Sequence, residues 1–178
     1  MSESASPVTT ALSLGPCDDV RELAARYLEE YVAKIRVFLQ VTDDSALWQR
    51  PREGTNSLGN LLLHLSGNLE LWINNSLGNG TYQRDRGAEF STDQGAGKEE
   101  LLIRLEEVVA RCRATLMEFP QKQLSARIDV QGYEMDGLGI IVHAVEHMSY
   151  HTGQIAWAVK GASPEGAAIE LYPQHADE

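Results

Sequence analysis

Residues 143–157 read HAVEHMSYHTGQIAW and contain three of the five histidines of the chain. Apolar residues recur every three or four positions between residues 136 and 161, which predicts one long helix. On this helix His143, His147 and His151 share a stripe about 80° wide, since each residue turns the helix by about 100°. Histidines one turn apart can bind the same ion, whereas the two end histidines lie about 12 Å apart along the axis. The spacing therefore predicts a metal-binding pair, either His143 with His147 or His147 with His151.

Three more segments carry the same helical periodicity, at residues 18–41, 56–80 and 98–119. Asn56 and Ser57 supply a helix N-cap, and Pro120 stops the third helix. These patterns predict an all-α fold, an antiparallel four-helix bundle with long loops between helices 2 and 3 and between helices 3 and 4. We assign residues 17–161 to the bundle, 1–16 to a flexible N-terminal arm and 162–178 to a C-terminal tail.

The segments between the helices differ in character. Residues 78–97 form a polar stretch rich in Gly, Asp and Arg, and a loop of about twenty residues in a compact domain is more often functional or mobile than a spacer. Trp48 is expected to cover one end of the bundle, and residues 124–133 are compatible with a short extended piece. We expect Trp157 to be a packing anchor.

Composition excludes several function classes. The 178 residues, 43% of them hydrophobic, suit one domain. Fifteen Lys and Arg against 26 Asp and Glu give a net charge of −11, which argues against nucleic-acid partners and against an anionic membrane surface. Cys17 and Cys112 are too few and too far apart for a disulfide framework. Residues 1–15 lack a signal-peptide pattern, and we expect a cytoplasmic protein.

His64 lies in the second helix in the apolar run NLLLHLSGNLELW, residues 60–72, where a histidine needs a hydrogen-bond partner or a metal. The stripe around it mixes one imidazole, Trp72 nearby and three amides, which indicates a pocket lining. The amides are those of Asn60, Asn68 and Asn75. On the fourth helix, Tyr150 and Gln154 point to the same side as His147. The alternative is a core histidine bonded to a helix carbonyl, with asparagines facing water.

If His64 meets the fourth-helix pair, the site has three neutral imidazoles and no thiolate. Imidazole suits Zn²⁺, Ni²⁺, Fe²⁺ or Cu²⁺, and three protein ligands leave positions open for water or substrate. The sequence therefore predicts one divalent transition metal per chain in a site of catalytic type. Glu146 is the nearest acid in sequence, but it projects about 100° from His147, so we expect it to face solvent or a dimer contact.

Several motifs together resemble the DinB/YfiT-like superfamily of metal enzymes. HAVEHMSYHTGQIAW is similar to the last core helix of that superfamily, which reads His-x-x-x-His followed by a motif ending Gly-Gln. The stretch from Trp48 through NSLGNLLLHLSGNLELWI resembles its tryptophan-containing loop and ligand-bearing helix. RDRGAEF, followed by KEELL, is similar to one uncharacterised branch. The resemblance covers roughly residues 18–161.

The resemblance implies a DinB-like bundle with a divalent metal near one end, held by His64, His147 and His151. His143 is then a pocket residue, a partner that supports one of the metal ligands, or core filler. Many relatives have Arg after the last ligand, where this chain has Thr152, which weakens any inference about an anion held by that Arg.

Characterised relatives include transferases that use low-molecular-weight thiols and a thiol-dependent maleylpyruvate isomerase. The resemblance therefore implies transfer of a small-molecule thiol to an electrophile. The alternatives are a hydrolase that uses metal-activated water and a non-catalytic metal- or ligand-binding stress protein. Relatives often form homodimers, and the third helix offers Leu102, Leu105 and Val109 as contacts, although these side chains suit the core equally well.

Overall fold

The computed structural model describes residues 16–172, which are mostly helical. Residues 1–15 of the expected N-terminal arm lie outside the described residues. So do residues 173–178 of the expected tail, including His175.

Within the described residues the chain forms seven α-helices and one two-stranded sheet. The elements are, in chain order, α1 (Val20–Gln40), α2 (Asp44–Leu47), α3 (Leu58–Leu69), α4 (Arg86–Ser91), α5 (Lys98–Glu118), β1 (Arg127–Val130), β2 (Tyr133–Asp136), α6 (Gly137–Ala162) and α7 (Pro164–Ala167). A π-helical segment, Glu70–Asn75, continues α3, and a 3₁₀ turn, Gln121–Gln123, follows α5. None of these helices is long and apolar enough to cross a membrane.

The long helices pack around one hydrophobic core. Helix α1 contacts α5 and α6, and α3 contacts the same two helices from its own side. Each long helix contributes fully buried side chains to this core, among them Phe38, Leu62, Leu105 and Ile140. The four segments predicted from periodicity correspond to α1, α3 with its π-helical continuation, α5 and α6.

Local chemistry explains where the helices begin. Asp19 caps α1, and Asp136 caps α6 by accepting a hydrogen bond from the Gly139 amide. Ser57 and Asn60 form a reciprocal capping box at the start of α3, which satisfies backbone amides that the first turn leaves unpaired. The N-cap expected at Asn56 and Ser57 is therefore formed by Ser57.

The two predicted loops contain secondary structure. The first carries α4, whose cap is Asp85, and the second carries the antiparallel hairpin β1–β2. The hairpin turn has positive φ at Gln131 and Gly132, as a two-residue primed turn requires. The extended piece expected in residues 124–133 is thus one strand of a pair.

Trp48 packs over the first turn of α3. Its indole nitrogen donates a hydrogen bond to the Ala96 carbonyl at 3.1 Å. A Cβ on Gly59 would lie 2.6 Å from the Trp48 ring, so this close approach requires glycine. The ring therefore joins the start of α3 to the segment that leads into α5.

Other expectations are resolved by burial. Leu102, Leu105 and Val109 are buried in the core, so they are not available as dimer contacts. Trp157, expected to anchor packing, is instead 77% exposed on α6. Cys112 is buried, and burial raises the pKa of its thiol well above the usual range.

Candidate metal centre

Three histidines from two helices converge at one place. His64 projects from α3, and His147 and His151 project from successive turns of α6. One ring nitrogen of each lies within 4.8 Å of the corresponding nitrogen of the other two. The Nε2 atoms of His64 and His147 are 3.0 Å apart. His143 is not part of this group.

A glutamate from α4 orients His64. The Oε2 atom of Glu89 lies 2.8 Å from His64 Nδ1, and both side chains are about 95% buried. A carboxylate at this distance requires a proton on Nδ1, which leaves the Nε2 lone pair facing His147 and His151. Such carboxylate–histidine pairs fix the tautomer of metal-binding imidazoles.

Arg84 completes this arrangement. Its Nε and Nη2 atoms donate to the two oxygens of Glu89 at 2.7 and 2.9 Å. The Nη2 atom also lies 3.1 Å from His64 Nδ1, but both groups are donors once Nδ1 is protonated. Burial raises the pKa of Glu89, whereas the hydrogen bonds from His64 and Arg84 lower it by more, so the carboxyl stays ionised.

Side chains of α3 position α4 beside His64. The amide nitrogen of Asn60 donates to the carbonyls of Glu89 and Thr92 at 3.0 and 2.6 Å. Gly67 provides the space for the carboxylate, since a Cβ at that position would lie 2.2 Å from Glu89 Oε1. One amide and one glycine on α3 thus bring a loop helix to the candidate metal centre.

Gln154 plays the corresponding part for His151. Its Oε1 lies 2.7 Å from His151 Nδ1, so Nδ1 is the protonated nitrogen and Nε2 is free to bind an ion. The Tyr150 ring packs edge-on against His151 at a centroid distance of 5.0 Å and is 59% exposed. Both residues line the same cavity as the three histidines.

The π-helical segment after α3 changes the register of the second helix. Trp72 in this segment packs against His143, with ring centroids 4.2 Å apart, and both line the cavity. Asn75 does not reach the cavity, because its side chain exchanges two hydrogen bonds with the backbone of Tyr82. The prediction that Asn75 lines the pocket is therefore wrong, because it assumed a constant rotation per residue along the helix. It is also wrong for Asn60, whose side chain binds the backbone of α4 and the residue after it. Asn68 does line the cavity.

Burial keeps the fourth-helix histidines neutral. Burial is the largest of the causes that together lower the pKa of His147 to about 3, and repulsion between a protonated His147 and the Arg84 guanidinium acts in the same direction. Burial also lowers the pKa values of His143 and His151. Neutral imidazoles are the form that binds a metal.

The histidines border a cavity of about 640 Å³. This is the size of a small-molecule site. Helix α4 borders the cavity on one side, where the ring centroids of Phe90 and His64 are 4.6 Å apart. The β1–β2 hairpin also borders it and contributes Gln131, Tyr133 and Met135. The two segments predicted as loops therefore form walls of the site.

Glu89 and Arg84 are not among the site residues predicted from the sequence. Both residues belong to the RDRGAEF motif, residues 84–90, which is part of the resemblance to the DinB/YfiT-like superfamily. Nothing in that motif alone indicates that Glu89 contacts His64. Glu146, the acid nearest in sequence to the ligands, is exposed, as expected. Thr152 is buried and its hydroxyl donates to the Met148 carbonyl, so it faces the core and not the cavity.

The donor set fits a divalent transition metal. Two nitrogens on one tetrahedral ion at about 2.05 Å are about 3.4 Å apart, close to the 3.0 Å between His64 and His147. Without an ion, a proton on His147 Nε2 can make the same 3.0 Å contact as a hydrogen bond to His64 Nε2, and a bound ion would take the place of that proton. The three histidines can therefore hold a metal ion, and the class defined by fold and site is a helical protein with an open three-histidine centre.

The chain belongs to the DinB superfamily, whose family model matches residues 22–155. No curated protein matches the sequence. Among solved structures, a conserved protein from Enterococcus faecalis is similar at 17% identity and a TM-score of 0.66, with 81% of this chain and 97% of that chain covered. A DinB-like protein from Bacillus cereus is similar at 16% identity and a TM-score of 0.62, with coverages of 77% and 91%.

A further structural neighbour is a mycothiol-dependent maleylpyruvate isomerase, solved as a point mutant. It is 15% identical, has a TM-score of 0.52, and is matched over 82% of this chain and 65% of that chain. At these identities the three likenesses establish the DinB-like fold alone.

Proposed function

We propose that this protein is a metal-dependent enzyme that transfers a small-molecule thiol to an electrophilic substrate. The observation that carries the proposal is the convergence of His64, His147 and His151 at the edge of a cavity large enough for a substrate. The mycothiol-dependent neighbour supports the thiol as the second substrate. We further propose an antiparallel arrangement of the four long helices, with the centre near one end.

His64, His147 and His151 would hold one divalent ion, Zn²⁺, Ni²⁺ or Fe²⁺. Glu89 and Gln154 accept hydrogen bonds from the Nδ1–H groups of His64 and His151, so the Nε2 atom of each ring is left free to bind the ion. An ion bound there supplies a Lewis acid that lowers the pKa of a thiol or a water.

His143 is the proton acceptor in this proposal. It is a neutral imidazole in the cavity, 5.6 Å in ring centroid distance from His147, and it is not among the three clustered histidines. The thiol proton passes to His143, the sulfur forms a bond to the electrophilic carbon, and the leaving group departs with the electron pair of the broken bond. The Trp72 ring holds His143 in place from the side of α3.

An activity assay separates the proposal from its alternatives. We expect turnover of an electrophile such as a chlorodinitrobenzene only when a low-molecular-weight thiol and metal are both present, and loss of turnover in His143→Asn with metal still bound. Turnover of an ester or amide without any thiol would instead establish the hydrolase. Metal binding without turnover of either class would establish the non-catalytic binding protein.

The homodimer and the cytoplasmic location remain predictions. With Leu102, Leu105 and Val109 buried in the core, a homodimer has to use other side chains. Light scattering on the purified full chain measures its mass directly, and a monomeric mass at micromolar concentration would contradict the homodimer.

A further inference from the structure

The cavity is free of acidic side chains although the chain is strongly acidic. None of its lining residues, all within the described range 16–172, is Asp or Glu, whereas two of them, Arg84 and Arg86, are cations. The whole chain has a net charge of −11. A cationic lining on an anionic protein is a local feature that attracts anions to this one place.

The two arginines differ in what they can still bind. Arg84 donates two hydrogen bonds to Glu89, and the Glu89 carboxylate neutralises its charge. This buried pair therefore offers no free positive charge to a ligand. Arg86 is exposed, and it forms no ion pair with any acidic residue of the described chain. Its guanidinium is held 5.0 Å from the centre of the Phe90 ring. One positive charge therefore remains available at the cavity.

Aromatic rings connect this charge to the candidate metal centre. Phe90 contacts both Arg86 and His64, and its ring centroid is 4.6 Å from that of His64. Across the cavity Trp72 and Tyr133 pack at a centroid distance of 6.5 Å. A ligand that reaches from Arg86 to the histidines therefore has an anionic end and an apolar body.

A buried amide in the wall of this cavity also has an oxygen without a hydrogen-bond partner. Asn68 is 3% exposed and lines the cavity one turn after His64, and its Oδ1 atom has no hydrogen-bond partner. An unpaired buried amide oxygen destabilises the folded chain, because it has lost its bonds to water without gaining others. This destabilisation is tolerated at a ligand site, because the amide can rotate and form a hydrogen bond with the ligand when the ligand binds.

We infer that the substrate of this cavity is a small organic acid whose carboxylate pairs with Arg86 and whose unsaturated or apolar body carries a polar group that Asn68 binds. The planar guanidinium matches a carboxylate with two parallel hydrogen bonds. The inference rests on the proposed function in that it takes the same cavity as the substrate site. It places the anion contact on α4, where the sequence offers Arg86, and not at position 152 of α6.

The test is a binding panel of benzoate, the three hydroxybenzoates and their matched benzamides, titrated by calorimetry into zinc-loaded and metal-free protein. We expect carboxylates to bind at least about tenfold more tightly than their amides, the effect of one charge-assisted hydrogen-bond pair. The preference should fall to within about twofold in Arg86→Gln. It should persist in Arg104→Gln, because Arg104 is an exposed arginine on α5 away from the cavity.

Asn68→Leu gives an independent measurement. We expect the best hydroxybenzoate to lose its advantage over benzoate in this variant, with benzoate itself unchanged, and the melting temperature not to fall, since an unpaired amide has been removed. Equal binding of acids and amides, a preference that survives Arg86→Gln, or no binding by any acid overturns the inference. Metal uptake with no acid preference leaves the proposed function standing, whereas acid preference without metal uptake contradicts only the proposed function.

Discussion

Replacing Glu89 by Gln tests whether the buried carboxylate controls the metal-binding form of His64. Glutamine keeps the shape of the side chain but offers one acceptor oxygen in place of two. If that oxygen accepts from His64 Nδ1, the amide NH₂ faces the donors of Arg84. If it accepts from Arg84, the NH₂ faces Nδ1, which then has to give up its proton and move it to Nε2, the nitrogen that faces the other histidines.

Either outcome weakens the centre. Loss of an outer carboxylate partner typically costs about 10–100-fold in metal affinity, or about 1.4–2.7 kcal/mol. We expect the upper part of this range, because Glu89 is about 95% buried and no solvent replaces its bond to His64. The variant also leaves Arg84 buried without its ion pair, which costs about 3–5 kcal/mol of folding stability.

The assay is competition for Zn²⁺ against a chromophoric chelator, with circular dichroism on each sample to establish that the variant is folded at the assay temperature. Glu134→Gln is the matched control, since Glu134 forms an exposed ion pair with Arg127 on the hairpin. Nitrogen-15 chemical shifts of His64 report the tautomer in the metal-free protein. A folded Glu89→Gln variant with wild-type zinc affinity and an unprotonated Nε2 would show that the Glu89 carboxylate does not control the metal-binding form of His64.

Three further predictions concern stability. Gly67→Ala should destabilise the protein by about 1–3 kcal/mol, because its Cβ would meet the Glu89 carboxylate. Gly153→Ala, with open space around the added Cβ, should instead stabilise α6 by about 0.5–1 kcal/mol. Chemical denaturation measures both changes in the free energy of unfolding. Metal-free protein should lose stability as the pH falls from about 6.5 toward 3, because His147 binds a proton in the unfolded chain over this range but stays neutral in the folded protein until about pH 3. The melting temperature of His147→Leu should therefore change less with pH over this window than that of the wild type. Ser57→Ala should cost about 1 kcal/mol in urea unfolding through loss of the α3 cap, and an unchanged midpoint would contradict the capping box.

The long helices could be predicted from the sequence because their signals are local. Apolar periodicity, the cap at Ser57 and the stop at Pro120 all act within one or two turns, and they match α1, α3, α5 and α6 in the structure. Helix α4 could not be predicted in the same way. Three of its six residues are polar, so it has no clear apolar periodicity. It is held in place by hydrogen bonds from Asn60 to the carbonyls of Glu89 and Thr92, which are 29 and 32 residues further along the chain.

The candidate site divides along the same line. The stripe of His143, His147 and His151 follows from the geometry of one helix, and all three line the cavity. Glu89 meets His64 across 25 residues, so no local pattern reveals the pair. The position of Asn75 could not be predicted from α-helical periodicity, because the wider turn of the π-helical segment moves it away from the stripe that carries His64.

The proposed function depends on a divalent ion bound by His64, His147 and His151. Its most direct test is the metal content of protein purified without a histidine tag, measured by inductively coupled plasma mass spectrometry for the wild type, His64→Ala, His147→Ala and the non-ligand control His143→Ala. We expect about one equivalent of a transition metal per chain in the wild type and in His143→Ala, and a loss of most of it in the two ligand variants. Equal metal content in all four proteins, or none in the wild type after incubation with Zn²⁺, Ni²⁺ or Fe²⁺, would contradict it.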